Sequence, residues 1–549
     1  MIAEKERGYM KRFILIFLMI HTFSYSNYLI SNSEIVLFYD KNFNSVHFIK
    51  GDVFNPIDIS KIEGKLIIDG SEIISINHFF DRTEMVPGTN ILKLYYSING
   101  QNIDVTIIPS MIEREKLYVI VDLKNLKTDK KIDFVFHIFP QQDNGNIEFI
   151  RAANSFVYGK NIFFKSENYG GQVFIVRDNV IENFVLEEVT TKTKKYQDDN
   201  LYYLISNINK DEPILFTFKF FDNFRNNNLV KSSNVIADEF NYWLGLKSNQ
   251  RTFKNQEAVD TQLRMLDIIT SRAVIPDSIS YNNSKEDLTN KIKLYYISSL
   301  FKENFDARKM FVDINIRKSE TESAAYYTYL FKYLSDKNKM FDSNFFNWKI
   351  KPEVLSMVDS IEDNGEIFDE RDNIYNYYTE YKLLETISQV SEFGEDIKWI
   401  EERKNLLHQF IIKNYTFEDG IKTRRADEKS NHKNIAYLDI LPKNIQKKIL
   451  LSDYKKYYNE KSGVLTDEDK NTVDMEYNLN FIIKLYENGF KETADKLLAN
   501  LEEIITENNS YIVPKIYLNK DNSAGIYGNL LYLYLTAVQY RENNNEHTK

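Results

Sequence analysis

From about Tyr28 to Phe224 apolar and polar positions alternate with period two. Leu117, Val119, Val121 and Leu123 share one face of a strand, as do Ile132, Phe134, Phe136 and Ile138, and again Ile214, Phe216, Phe218 and Phe220. Asp69-Gly70, Asn99-Gly100 and Asn144-Gly145 fall between such runs, where hairpin turns need positive φ. Many short strands with turns between them predict a β-sandwich over residues 27–225, followed by an Asn-rich linker over 226–233.

From about Asn234 onward the period becomes 3.6. Candidate helices cover 235–246, 257–272, 285–302, 306–317, 320–335, 345–360, 373–392, 395–415, 432–440, 444–451, 471–487, 491–506 and 524–541. They come in pairs, with short joints alternating with longer polar ones at 363–372, 417–431, 462–474 and 508–523. Short turns from inner to outer helices, with longer loops gathered at the other end, predict an (α/α)6 toroid over 234–545. A solenoid would pair its helices similarly, but no repeat of fixed period is present. The expected architecture is multidomain, β then α. Trp243, Trp348 and Trp399 are expected to pack between helices.

The stretch 363–420 is the most informative. An acidic turn (Glu366, Asp369, Glu370, Asp372) leads into two amphipathic segments. Tyr377, Tyr381, Leu384, Ile387 and Val390 share a face of the first, and Ile397, Ile400, Leu407 and Phe410 a face of the second. A helix dipole favours carboxylates at its entrance, so the acidic turn alone implies no chemistry.

The order of residues adds more. Glu366-Ile367-Phe368-Asp369-Glu370-Arg371 resembles the G-I-W-E-x-R motif of the glucoamylase-like glycosidases, glycoside hydrolase family fifteen. Phe368 stands at the Trp and Asp369 at the general-acid Glu, with Glu370 beside it. The Gly394 turn, Trp399, Glu401-Glu402-Arg403, Leu438-Asp439-Ile440-Leu441-Pro442 and the stretches 473–501 and 525–538 extend the resemblance over roughly the last 300 residues. It implies inverting hydrolysis of an α-glucoside or related glycan, with two carboxyl groups roughly 6.5–9.5 Å apart. Asp369 or Glu370 would be the acid. Phe368, Arg371, Tyr375, Asp427 and Lys515 would contact the glycan. Tyr375, Tyr377 and Tyr378 could stack on sugar faces or belong to the core.

Two motifs of that family depart here. The loop expected to carry the base reads Tyr511-Ile512-Val513-Pro514-Lys515-Ile516-Tyr517, with Pro514 or Lys515 at the base position. Asp521 could substitute only in a different loop fold. The stretch 291–299 lacks the Arg and Asp of the family's first-subsite signature. Three readings follow: a hydrolase with a non-standard base, an inactive descendant binding glycan or protein, or an inverting phosphorylase. In the last, phosphate replaces the base, and Lys515, Lys520, Arg424 and Arg425 are the cations on offer.

Composition narrows the field. A net charge of −10 argues against nucleic-acid binding, which rests on cationic phosphate contacts. With no cysteine, disulfides and thiolate chemistry are excluded, and seven scattered histidines offer no metal-ligand spacing. No cofactor or metal is called for. Lys11-Arg12, the apolar run 13–20 and Ser24 and Ser26 form an export signal over 1–26, with Met10 as an alternative start. Eight apolar residues are too few to span a bilayer, so a periplasmic or secreted protein is expected.

Overall fold

The computed structural model describes residues 28–31, 35–40, 45–50, 58–86, 89–113, 115–140, 146–150, 155–158, 162–176, 187–188, 194–195, 200–219, 232–245, 253–270, 278–280, 288–301, 320–336, 343–367, 372–467, 472–507, 516–517 and 525–546. The export signal, the linker as far as 231, the candidate helix 306–317 and the residues Phe368, Asp369, Glu370, Arg371 and Lys515 lie outside the described residues. The chain divides into two compact units, the first reaching Glu239 and the second starting at Phe240, apart from short exchanged segments.

The first unit holds two antiparallel sheets among the described residues. In one, Ile132–Pro140 lies between Asp58–Ile68 and Asn200–Ile205, so that Phe134 pairs with both Leu66 and Ile205. In the other, Lys116–Asp122 lies between Gln101–Pro109 and Ile214–Lys219, with Val119 opposite Phe216. The alternation sends Phe134, Phe136 and Ile138 from the first sheet, and Val119, Val121, Phe216 and Phe218 from the second, into one shared core. Phe136 stacks on Phe216 across it, ring centroids 4.1 Å apart. Asn99 (φ 51°) and Gly100 (φ 76°) both take the left-handed region, which closes the two-residue hairpin between Ile98 and Gln101. Glu239, midway along helix α1 (Ser232–Gly245), is buried and accepts hydrogen bonds from the Ser110 hydroxyl and the Met111 backbone N–H.

The second unit is helical. It contains α2 (Gln256–Thr270), α3 (Leu288–Phe301), α4 (Glu320–Asp336), α5 (Lys351–Asp359), α6 (Ile374–Ile387), α7 (Asp396–Tyr415), α8 (Lys443–Tyr457), α9 (Met475–Glu487), α10 (Lys491–Glu507) and α11 (Gly528–Glu546). The segment expected as a helix at 432–440 is a 3-10 helix, His432–Ile440, capped by Asn431. Helix α3 packs on α4, and α4 on α6. Helix α6 meets the 3-10 segment through Tyr378 and Tyr437, ring centroids 4.8 Å apart. The 3-10 segment packs on α9, α9 on α11, and α11 back on α3. Helices α7, α8 and α10 pack outside these, against α6, the 3-10 segment and α9 respectively.

One expectation about packing is corrected. Trp243 is 2% exposed and Trp399 is half-buried, but Trp348 is 86% exposed. It lies in a π-helical turn, Phe346–Ile350, whose wider spacing turns Phe346 and Ile350 inward and Trp348 out.

Candidate functional site

The segments that precede the inner elements are joined to one another. Val473 pairs with Tyr517 ahead of α9 and α11, and Ser278 pairs with Tyr527 ahead of α3 and α11. The Lys433 ammonium lies 3.0 Å from Asp474, the N-cap of α9. The Ile374 N–H donates to the Thr423 carbonyl, and Arg425 donates to Glu366 (2.6 Å) and to Asp372 (3.1 Å). These inner elements therefore start at a common end. Residues further along each helix lie deeper, by about 1.5 Å per residue.

Between them is a cavity of about 630 Å³. Near its mouth stand Asn290, Tyr375, Tyr437, Glu476, Tyr527 and Asn529, each in an early turn of its element or just before it. Two to three turns deeper stand Lys332, Lys382, Lys484, Glu487 and Tyr540, and Asp439, two residues past Tyr437 in the 3-10 segment, meets Lys382 and Lys484 there. From Tyr375 to Lys382 is seven residues of α6, about 10 Å.

The deep end is an ionic network. Asp439 accepts hydrogen bonds from the Tyr378 hydroxyl (2.9 Å) and from the ammonium groups of Lys382 (3.2 Å) and Lys484 (3.1 Å). Burial alone would raise the Asp439 pKa, but Lys484 and Lys382 outweigh it and hold the group at about 2. Lys382 also binds Glu385, and Lys484 binds Glu487, which takes a further bond from the Tyr540 hydroxyl at 3.0 Å. An anion so fully engaged is a poor proton acceptor.

Glu476 is different. It is exposed at the cavity mouth, and its carboxylate accepts one side-chain hydrogen bond, from Asn529 at 2.9 Å. Its remaining lone pairs face no described donor, which suits a group that must receive a proton.

Of the residues singled out by sequence, Tyr375 and Tyr378 line the cavity, while Tyr377 points away and stacks on Phe410 with centroids 5.2 Å apart. Asp427 is turned into its own loop, where it accepts the N–H groups of Thr423 (3.1 Å) and Arg424 (2.8 Å); it is not among the cavity-lining residues. Arg424 lines a separate cleft with Asp372, Asn373 and Asn376. The acidic turn does not cap α6. Asn373 does, accepting the Tyr375 N–H at 3.0 Å, while Asp372 takes the Tyr415 hydroxyl at 2.6 Å. Burial opposes ionisation of Asp372, but Tyr415 and Arg425 bring its pKa below the usual carboxylate range.

Lys332, Lys382, Lys484, Glu487 and Glu476 are not among the candidate residues singled out from the sequence. A signal was present. Lys382 and Lys484 each precede a Glu by three residues, within the candidate helices 373–392 and 471–487.

No protein-family model matches the sequence, and no curated protein matches it by sequence. Solved structures do match in shape. A bacterial glucoamylase complexed with acarbose superposes with a TM-score of 0.65 at 11% identity, over 95% of this chain and 94% of its own. A GH92-family glycosyl hydrolase, ccman5, follows at a TM-score of 0.49 and 8% identity, over 93% of this chain and 85% of its own. The chain has a glycosidase-like fold, with a β-sheet region followed by a helical region. Among the described residues, no helix is long and apolar enough to cross a membrane.

Proposed function

We propose that the helical unit is an (α/α)6 toroid whose central cavity binds a glycan, and that the protein is a degenerate glucoamylase-like glycosidase hydrolysing a glycosidic bond with inversion. Asp369 or Glu370, in the stretch between Glu366 and Asp372, is the acid. Glu476 is the base, in place of the carboxylate missing around Lys515. The observation that carries this reading is the position of Glu476, a lightly engaged carboxylate at the cavity mouth, hydrogen-bonded by Asn529. Tyr375 and Tyr437 supply faces for sugar rings. One carboxyl group protonates the leaving oxygen while Glu476 takes a proton from the attacking water.

The inactive, glycan-binding reading has its own support. From the stretch 291–299, Lys293 is the described residue that reaches the cavity wall, and no Arg–Asp pair is there to hold a terminal sugar. One assay separates the two: sugar release from α-linked oligosaccharides, with the product anomer read by NMR. A hydrolase releases the inverted anomer, and Glu476→Gln lowers turnover by about 10²–10⁴ while binding persists. Saturable binding without turnover selects the inactive descendant, and absence of both removes the glycan reading.

We also assign the protein to the periplasm or the exterior, on the strength of Lys11-Arg12 and the apolar run that follows. A mature N-terminus at Asn27 is the expected outcome of sequencing the protein purified from its own cells; retention of residues 1–26 contradicts it.

A further inference from the structure

Three inner helices each carry a lysine deep in the cavity, but only two of the three are paired. Lys382 in α6 has Glu385 three residues on, Lys484 in α9 has Glu487, and the two share Asp439. Lys332 in α4 has Ser335 at the same spacing. No carboxylate among the described residues lies within ion-pair distance of its ammonium group, whose described neighbour is the Tyr329 ring, 5.5 Å from Nζ to centroid. The charges nearby balance in number but not in pairing. Asp439 is held by Tyr378, Lys382 and Lys484, Glu487 by Lys484 and Tyr540, and Glu385 by Lys382.

We propose that Lys332 forms an oxyanion subsite in the cavity floor, so that what binds there presents a compact negative group: the carboxylate of an acidic sugar, or a free phosphate ion. The proposal rests on the glycan reading of this cavity and narrows its substrate class. Burial, and then the neighbouring Lys382 charge, lower the Lys332 pKa. A cation in that position is destabilised unless an anion joins it. A lysine serves as a point charge and tolerates several oxyanion geometries. Lys332 also borders a second cleft, but Asp336, Glu385 and Glu392 line that side and repel an anion. Approach is therefore from the cavity.

Calorimetric titration of the full chain tests this with three ligands: a neutral oligosaccharide, the same oligosaccharide ending in a uronate, and inorganic phosphate. The uronate form is expected to bind about tenfold tighter than the neutral one, in line with one charge-assisted hydrogen bond. Lys332→Gln removes that difference, and Lys332→Arg keeps it. Phosphate binding that depends on Lys332, with no preference for uronate, supports the subsite and assigns the oxyanion to free phosphate. Phosphate binding through Lys332 with no saccharide bound supports the subsite and removes the glycan reading. Equal affinity for neutral and uronate forms with no phosphate bound overturns the subsite and leaves the glycan reading standing. So does a uronate preference that survives Lys332→Gln. If none of the ligands binds, both fail.

Discussion

The Lys484 ammonium lies 3.1 Å from the Asp439 carboxylate, bridging α9 and the 3-10 segment at the deep end of the cavity. This pair does two things. It ties together two neighbouring inner elements, and it sets an anion between the Lys382 and Lys484 ammonium groups.

Replacing Asp439 by Asn leaves two largely buried ammonium groups without their shared partner, and is expected to destabilise the fold by about 3 kcal/mol. Because the Asp439 pKa lies near 2 in the folded state, its contribution is complete above the ordinary carboxylate value and disappears as pH falls toward 2. Urea denaturation should show the full difference between the two proteins at pH 7 and a shrinking one from about pH 4 downward. A constant difference across that range would contradict the assignment.

Gly365 sits in the acidic turn at φ 84°, and a Cβ there would meet the Leu406 carbonyl oxygen at 2.3 Å. The clash is with backbone and cannot be relieved by a side-chain rotation. Gly365→Ala should therefore lower stability by about 2–3 kcal/mol. Under the proposed hydrolase reading it should also lower turnover, because the turn leads toward Asp369 and Glu370, one of which is the proposed acid. Unchanged denaturation midpoint and turnover would show that the turn is not constrained as described.

Asp453 on α8 is raised to about 6 by burial, only partly offset by Lys456. The folded state then holds a proton that the unfolded chain releases between the ordinary value of 3.8 and 6, so stability falls as pH rises through that window. Asp453→Asn is expected to stabilise the protein by about 1 kcal/mol at pH 7.5 and to be neutral below pH 4, as thermal melts at the two pH values would reveal.

Much of the fold was legible because each unit obeys one period. In the strands, Phe134, Phe136, Phe216 and Phe218 face a single apolar core, so alternation reports burial directly. In the helical unit, Tyr377, Leu384 and Ile387 are buried as their spacing on α6 predicts, with Tyr377 stacked on Phe410 of α7. The cavity was less legible, since its wall is built from residues that usually meet water. Lys382 with Glu385 and Lys484 with Glu487 look like surface pairs at i,i+3. What turns them inward is the course of the chain around the cavity, which no local window contains. Glu476 stands in the first turn of α9, two residues after its N-cap Asp474, where carboxylates commonly serve only the helix dipole. Trp348 was misplaced because a π-turn breaks the 3.6-residue phase without a sequence marker.

The central claim is that a saccharide occupies the cavity among these inner segments, and filling that space tests it most directly. Ala436 lines the cavity and makes no side-chain hydrogen bond, so Ala436→Trp adds bulk there while leaving the ionic network intact. Titration with an oligosaccharide panel should give saturable binding for the wild-type protein and at least tenfold weaker binding for the variant, with an unchanged denaturation midpoint. Equal affinity in the two proteins would place the binding site elsewhere and contradict the account.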